Sequence, residues 1–148
     1  MYKNFQKGSL LIELLVSIGI LGLIASITMP YIRISISNIV LANVVKEITT
    51  DLRNAQQQTI SEQTFYYAQF IMEENKYRII EESTETIIKE KILPPEINFY
   101  SINGLTDNEA RFNYFGAAIE SGTIIFVNTS TNAMSSIEIK PAGYIRYN

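Results

Sequence analysis

The sequence predicts an α+β fold: a long N-terminal α-helix, its first half transmembrane, packed by its second half on an antiparallel β-sandwich-like domain. Three observations predict it. Ser9 to Met29 is a run of 21 residues in which Glu13 is the only charge. Leu41, Val45, Ile48, Leu52, Ala55 and Thr59 then recur at spacings of 4 and 3, the signature of one helical stripe. After Ser61 the apolar period changes to two, as strands require.

The first element divides into two chemically opposite pieces. Met1 to Gly8 (MYKNFQKG) is polar, with Lys3 and Lys7 as its only charges. The apolar run that follows spans roughly 31 Å at ~1.5 Å per residue, about the thickness of a bilayer hydrocarbon core. The two leader lysines would hold the amino end in the cytoplasm. A secretory signal peptide has a shorter apolar run, without an acid, followed by a small-residue cleavage site. A plain signal anchor fits the length and the lysines but gives no reason for Glu13. The remaining reading makes Gly8 the end of a leader cut on the cytoplasmic side.

Glu13 favours that last reading. A carboxylate inside a spanning segment costs on the order of 2.5–3.5 kcal/mol, so it calls for a partner. It lies four residues after Ser9, one helical turn from the amine that cleavage would create. In a helical stack the carboxylate of one subunit could be neutralised by the terminal amine of its neighbour. The bland alternative is a carboxylate near the interface that snorkels to water.

Gly8-Ser9-Leu10-Leu11-Ile12-Glu13-Leu14 resembles the type III signal of type IV prepilins and type II secretion pseudopilins, whose pattern is Gly, an apolar residue, Thr, Leu, Ile, Glu. Gly8, the Leu11-Ile12 pair and Glu13 match. Ser9 stands where Phe, Met or Leu is usual, and Leu10 where Thr is usual. The resemblance implies that a prepilin peptidase cleaves between Gly8 and Ser9 and that Ser9 is then N-methylated. It implies that Glu13 serves subunit assembly, and that Lys3 and Lys7 supply the leader charge.

Pro30 closes the most apolar stretch, yet the stripe from Leu41 to Thr59 extends the helix to about Ile60. Lys46, Glu47, Asp51 and Arg53 fall off the stripe and are expected at solvent or at neighbouring subunits. Strands are expected at Thr64–Met72, Lys76–Glu82, Thr86–Ile92, Ile97–Ile102, Ala110–Phe115, Gly122–Asn128, Ser136–Lys140 and Tyr144–Tyr147, about seven of them forming the domain. Turns fall at Glu73-Glu74-Asn75, Pro94-Pro95, Gly116, Asn128 to Asn132 and Pro141-Ala142-Gly143, and a loop runs from Asn103-Gly104 through Glu109. The resulting organisation is a leader (1–8), a transmembrane or filament-core half helix (9–30), an amphipathic half helix (31–62) and an antiparallel β domain (63–148).

Leu52-Arg53-Asn54-Ala55-Gln56, Phe112 to Gly116, Thr123 to Phe126, and Ile137 to Ile139 ahead of Gly143-Tyr144-Ile145 are similar to the GspH/FimT-type minor pseudopilins. That likeness implies a minor subunit of a type IV pilus, a type II secretion system or a competence pseudopilus. Its implied partners are prepilin peptidase, other pilin or pseudopilin subunits, an inner-membrane assembly platform and membrane lipid. Nucleic acid would be a partner only in a DNA-uptake system. The implied location is a single-pass cell membrane protein, amino end in the cytoplasm, which then enters a filament. The rivals are an uncleaved membrane-anchored binding module and a tethered enzyme.

Composition narrows the chemistry. The chain has neither Cys nor His, which removes disulfides, Cys- or His-ligated zinc and Cys/His nucleophiles. Without Lys3 and Lys7 the count of Lys and Arg falls from 12 to 10 against 15 acids, and the net charge from −3 to −5. Lys140 and Arg146 are too few for a general nucleic-acid surface. The acids Glu73, Glu74, Glu81, Glu82 and Glu85 read as solvated surface. Asp107-Asn108-Glu109 lacks the spaced oxygens of a calcium loop. Gly19 and Gly22 permit close helix packing, and half-exposed tyrosines suit contacts between subunits. No catalytic residue, cofactor or metal is expected.

Overall fold

The computed structural model describes residues 5–148, with side chains described from residue 10 to 28 and from 36 onward. Lys3 lies outside the described residues. The chain forms two compact units, Met1–Ile36 and Ser37–Asn148. One helix, α1 (Phe5–Glu62), supplies the first unit and enters the second. It begins before Leu10, so Lys7, Gly8 and Ser9 are helical, although their side chains lie outside the described residues. Nothing in Phe5-Gln6-Lys7 stops a helix, and one Gly costs only about 1 kcal/mol.

In the second unit the stripe of α1 is buried as its spacing predicts. Val45, Leu52, Ala55 and Thr59 are inaccessible, and Leu41 and Ile48 nearly so. Each large apolar side chain among them contributes about 1.5–3 kcal/mol of burial. Asp51 departs from expectation, being buried rather than solvent-facing. It lies three residues after Ile48 and four before Ala55, which places it on the same helical face.

Eight strands follow, where about seven were expected. One sheet has the order β3-β2-β1-β5: β1 is Tyr66–Ile71, β2 Lys76–Glu81, β3 Thr86–Ile92 and β5 Glu109–Arg111. The other has the order β4-β6-β7-β8: β4 is Ile97–Asn103, β6 Gly122–Asn128, β7 Met134–Ile139 and β8 Ile145–Tyr147. All pairings are antiparallel. Alternation is visible in β1, where Tyr66, Ala68 and Phe70 are buried while Tyr67, Gln69 and Ile71 are partly exposed.

The expected strand Ala110–Phe115 is shorter and starts earlier. Glu109 opens β5, and beyond Arg111 only Phe112 makes a bridge, to Ala118. The Asn113 side-chain oxygen there accepts from the amides of Phe115 (2.9 Å) and Ala117 (3.0 Å), so the backbone turns instead of pairing.

The inner faces of both sheets and the α1 stripe share one core. Phe70 of β1 meets Phe99 of β4 edge-on at 6.0 Å, and Phe99 meets Phe126 of β6 at 5.2 Å, so aromatic contacts join the sheets. Buried Asn128 ties this core to the start of the unit. Its amide donates to the Ser37 carbonyl (2.9 Å), and its oxygen accepts from Ser130 N (2.9 Å) and Thr131 N (3.3 Å).

Candidate functional site

The first unit presents an apolar segment, Leu10–Thr28, 19 residues with a mean hydropathy of 2.5 and no buried residue. Its large side chains, among them Leu11, Ile12, Leu15, Ile18, Leu21 and Ile24, are all exposed. Such a surface is stable only in lipid or against other apolar helices. The polar groups within it are adapted to a medium without water. Ser17, Ser26 and Thr28 donate their hydroxyls to the carbonyls of Glu13, Gly22 and Ile24, each at 2.8 Å. Those i−4 bonds leave no hydroxyl hydrogen unpaired in hydrocarbon.

Glu13 is exposed on this segment, and Ser17 bonds its backbone carbonyl. Gly19 and Gly22 have no heavy atom within 4 Å of where a Cβ would stand. Both are open helix surface, where a second helix can approach to backbone distance. Of the residues singled out for cleavage and assembly, then, Glu13 has a described environment. Gly8, Ser9 and Lys7 are placed only as parts of α1.

The second unit explains why residues far apart in the sequence recur together. The Gln56 amide nitrogen donates to the carbonyls of Gly116 (2.6 Å) and Gly143 (2.9 Å). Arg53, one turn earlier, donates to the Ile145 carbonyl at 2.9 Å. Three segments are thereby joined: the Leu52–Gln56 helix turn, the turn that ends at Gly116, and Gly143-Tyr144-Ile145. Gly116 and Gly143 both have left-handed backbones, with φ of +83° and +77°. A Cβ on Gly143 would overlap the Gly116 carbonyl oxygen, so only glycine fits there.

A charged cluster fastens α1 to β3. Tyr77 donates its hydroxyl to Asp51, and Lys89 reaches the same carboxylate at 2.7 Å. Lys89 also lies 3.4 Å from Glu47, which pairs in addition with Lys91. The Lys91 hydrogen bond holds the Glu47 carboxyl below the usual range. Burial, then the Asp51 carboxylate, push the Tyr77 hydroxyl up, so it remains a donor at any ordinary pH. Burial works to lower Lys89, but Asp51 and Glu47 outweigh it and raise it.

The other candidates resolve as surface. Glu82 pairs with Arg111, Glu74 with Lys76, and Glu81 accepts from Ser83 and Thr84. Glu109 pairs with Arg111 at 2.7 Å beside a cavity of about 240 Å³ that Asp107 and Glu120 also line. Among the described residues no group of three or more carboxylates could hold a metal ion. Lys140 lies 3.6 Å from Glu138, and Arg146 stands opposite the same Glu138 across the β7–β8 ladder. An acid between two cations weakens any attraction they offer to phosphate.

No protein-family profile matches the chain, and no curated protein matches it in sequence. Solved structures do match. The type IV minor pilin FimU of Pseudomonas aeruginosa superposes with a TM-score of 0.60 at 13% identity, covering 73% of this chain and 87% of that one. A second crystal form of FimU gives 0.59. The minor pseudopilin EpsH from the Type 2 Secretion System of Vibrio cholerae gives 0.62 at 8% identity, covering 73% of this chain and 95% of that one. At such identities the likeness concerns the fold: the chain has the α+β fold of these minor pilins and pseudopilins.

Proposed function

We propose that a chain with this fold, carrying an exposed apolar helix behind Gly8-Ser9 and an acid at position 13, is a minor pilin-like subunit of a type IV filament machine. The observation that carries the reading is the segment Leu10–Thr28, apolar and exposed throughout. Lipid covers it first, with the amino end cytoplasmic and the β domain outside. Prepilin peptidase then cuts between Gly8 and Ser9, and the new amino terminus is N-methylated. An inner-membrane platform moves the helix from lipid into a filament, where neighbouring helices cover the same surface.

Because lipid and helix are equally apolar, that transfer changes little hydrophobic energy, so close packing and polar pairing must direct it. Gly19 and Gly22 supply the close approach. Glu13 supplies the polar term, pairing with the terminal amine of an adjacent subunit and removing the cost of an isolated carboxylate in hydrocarbon. Pilus, secretion and competence systems are all compatible with these residues. The test is intact-mass measurement of the full chain coexpressed with a prepilin peptidase. A product beginning at Ser9 is expected, and a chain that stays uncut overturns the reading.

A further inference from the structure

The outer edge of β3 differs from the other sheet edges in a way that bears on binding. β5 and β8, at two of the edges, are three residues each, too short to template a partner. β4 is longer but is interrupted by a register shift between Phe99 and Ser101. β3 has seven residues and pairs only with β2 among the described residues. Its own shift, at Ile79/Ile80, leaves Lys89–Ile92 in regular register. One row of backbone N–H and C=O groups along that stretch has no strand beside it.

Proteins normally blunt such an edge with charges that point outward. Here the charges are turned back onto the protein. Lys89 and Lys91 are held by Glu47 and Asp51 on the helix side. Glu90 is held by Arg78 and Lys76 on the other face. What remains outward is apolar: Ile87 and Ile88 are each 47% exposed and Ile92 67%. An exposed hydrophobic edge with its charges tied down is a template for an added strand.

We propose that β3 accepts an extended segment of a different protein by strand addition, with carboxylates opposite Lys89 and Lys91 and β-branched residues opposite the outer row. The charges select that occupant over a second copy of this chain. Residues opposite each other in an antiparallel ladder share a face, and Lys89 and Lys91 share the helix-side face with Tyr77 and Ile79. Symmetric self-pairing therefore sets Lys against Lys in every register that uses Lys89–Ile92. Centred on Glu90, it also sets Glu against Glu. Like charges directly opposite destabilise a pair, whereas a carboxylate opposite each lysine stabilises it. The proposal holds whether or not Gly8 is cleaved or the chain enters a filament.

The experiment uses the full chain in detergent micelles and a synthetic peptide of alternating Glu and Val as the probe. Hydrogen exchange of Thr86–Ile92 should slow severalfold when the peptide is added, with other strands unchanged. The same peptide N-methylated at alternate backbone nitrogens should give no slowing, and an alternating Lys/Val peptide markedly less. Ile92→Lys should leave the fold intact, since that side chain is exposed, and abolish the effect. Equal slowing by the N-methylated peptide, or none by the first peptide, overturns strand addition. Concentration-dependent dimerisation lost in Ile92→Lys would assign the edge to a second copy and overturn the choice of partner.

Discussion

The backbones of Gly116 and Gly143 meet beneath the side chain of Gln56, which donates to both of their carbonyls at 2.6 and 2.9 Å. The contact explains two glycines at once, since each has a positive φ and Gly143 has no room for a Cβ. Gly143→Ala should therefore destabilise the protein by about 2–4 kcal/mol, through backbone strain and steric overlap together. Gln56→Ala leaves two carbonyls without their donor and should cost about 1–3 kcal/mol. Thermal unfolding of the full chain in detergent, followed by near-UV circular dichroism, checks both. Wild-type stability in Gly143→Ala would show that the turn relaxes freely.

Buried Asn128 invites a parallel measurement. Its side chain makes three hydrogen bonds, one to the Ser37 carbonyl and two from the Ser130 and Thr131 amides. Asn128→Ala should lower stability by roughly 2–3 kcal/mol and speed hydrogen exchange in residues 129–132. Asn128→Asp keeps the acceptor but places an unpaired charge against the Ser37 carbonyl, so it should fail to restore stability. Full recovery by Asp would assign the whole effect to the loop.

Acid should weaken the fold, and the responsible groups are identifiable. Glu47 is held low first by the Lys91 hydrogen bond, Glu90 by the Arg78 hydrogen bond, and Glu120 by the Thr106 amide. A carboxylate lowered in the folded state contributes stability that is fully present above its unfolded value, 4.5 here, and lost as pH falls through the folded value. Unfolding temperature should be level from about pH 6 upward and decline below about pH 4.5. Glu47→Gln should make that decline shallower. A melting temperature that rises between pH 5 and pH 3 would contradict this assignment.

Removing the acid of the apolar helix separates processing from assembly. Glu13→Ala should be cut after Gly8 like the wild type, because the peptidase acts on the leader junction. It should enter filaments poorly, with the loss read by immunoblot of sheared filaments. Normal incorporation would show that pairing with the neighbour's amine is dispensable.

Legibility followed the range of the interactions. The exposed apolar segment depends on local composition alone, so its limits, Leu10–Thr28, are readable residue by residue. The core stripe from Leu41 to Thr59 depends on a 3.6-residue period and is likewise local. Asp51 shows where that logic was applied too loosely. Its polarity suggested solvent, but its spacing from Ile48 and Ala55 places it on the buried face, where Tyr77 and Lys89 satisfy it. The partner lies 26 residues away, and no local pattern announces it.

By itself the sequence determined the helix, its membrane-length apolar half, the alternating strands and the turns, because each follows from the period and chemistry of neighbouring residues. Only the tertiary structure decided which strands pair, that they divide into two sheets, that β3 is left at an edge, and that Gln56 meets Gly116 and Gly143. These are contacts between segments separated by 60 and 87 residues in the last case. They are selected by burial of a shared core and by the need to satisfy each buried carbonyl, and those conditions belong to the folded chain as a whole.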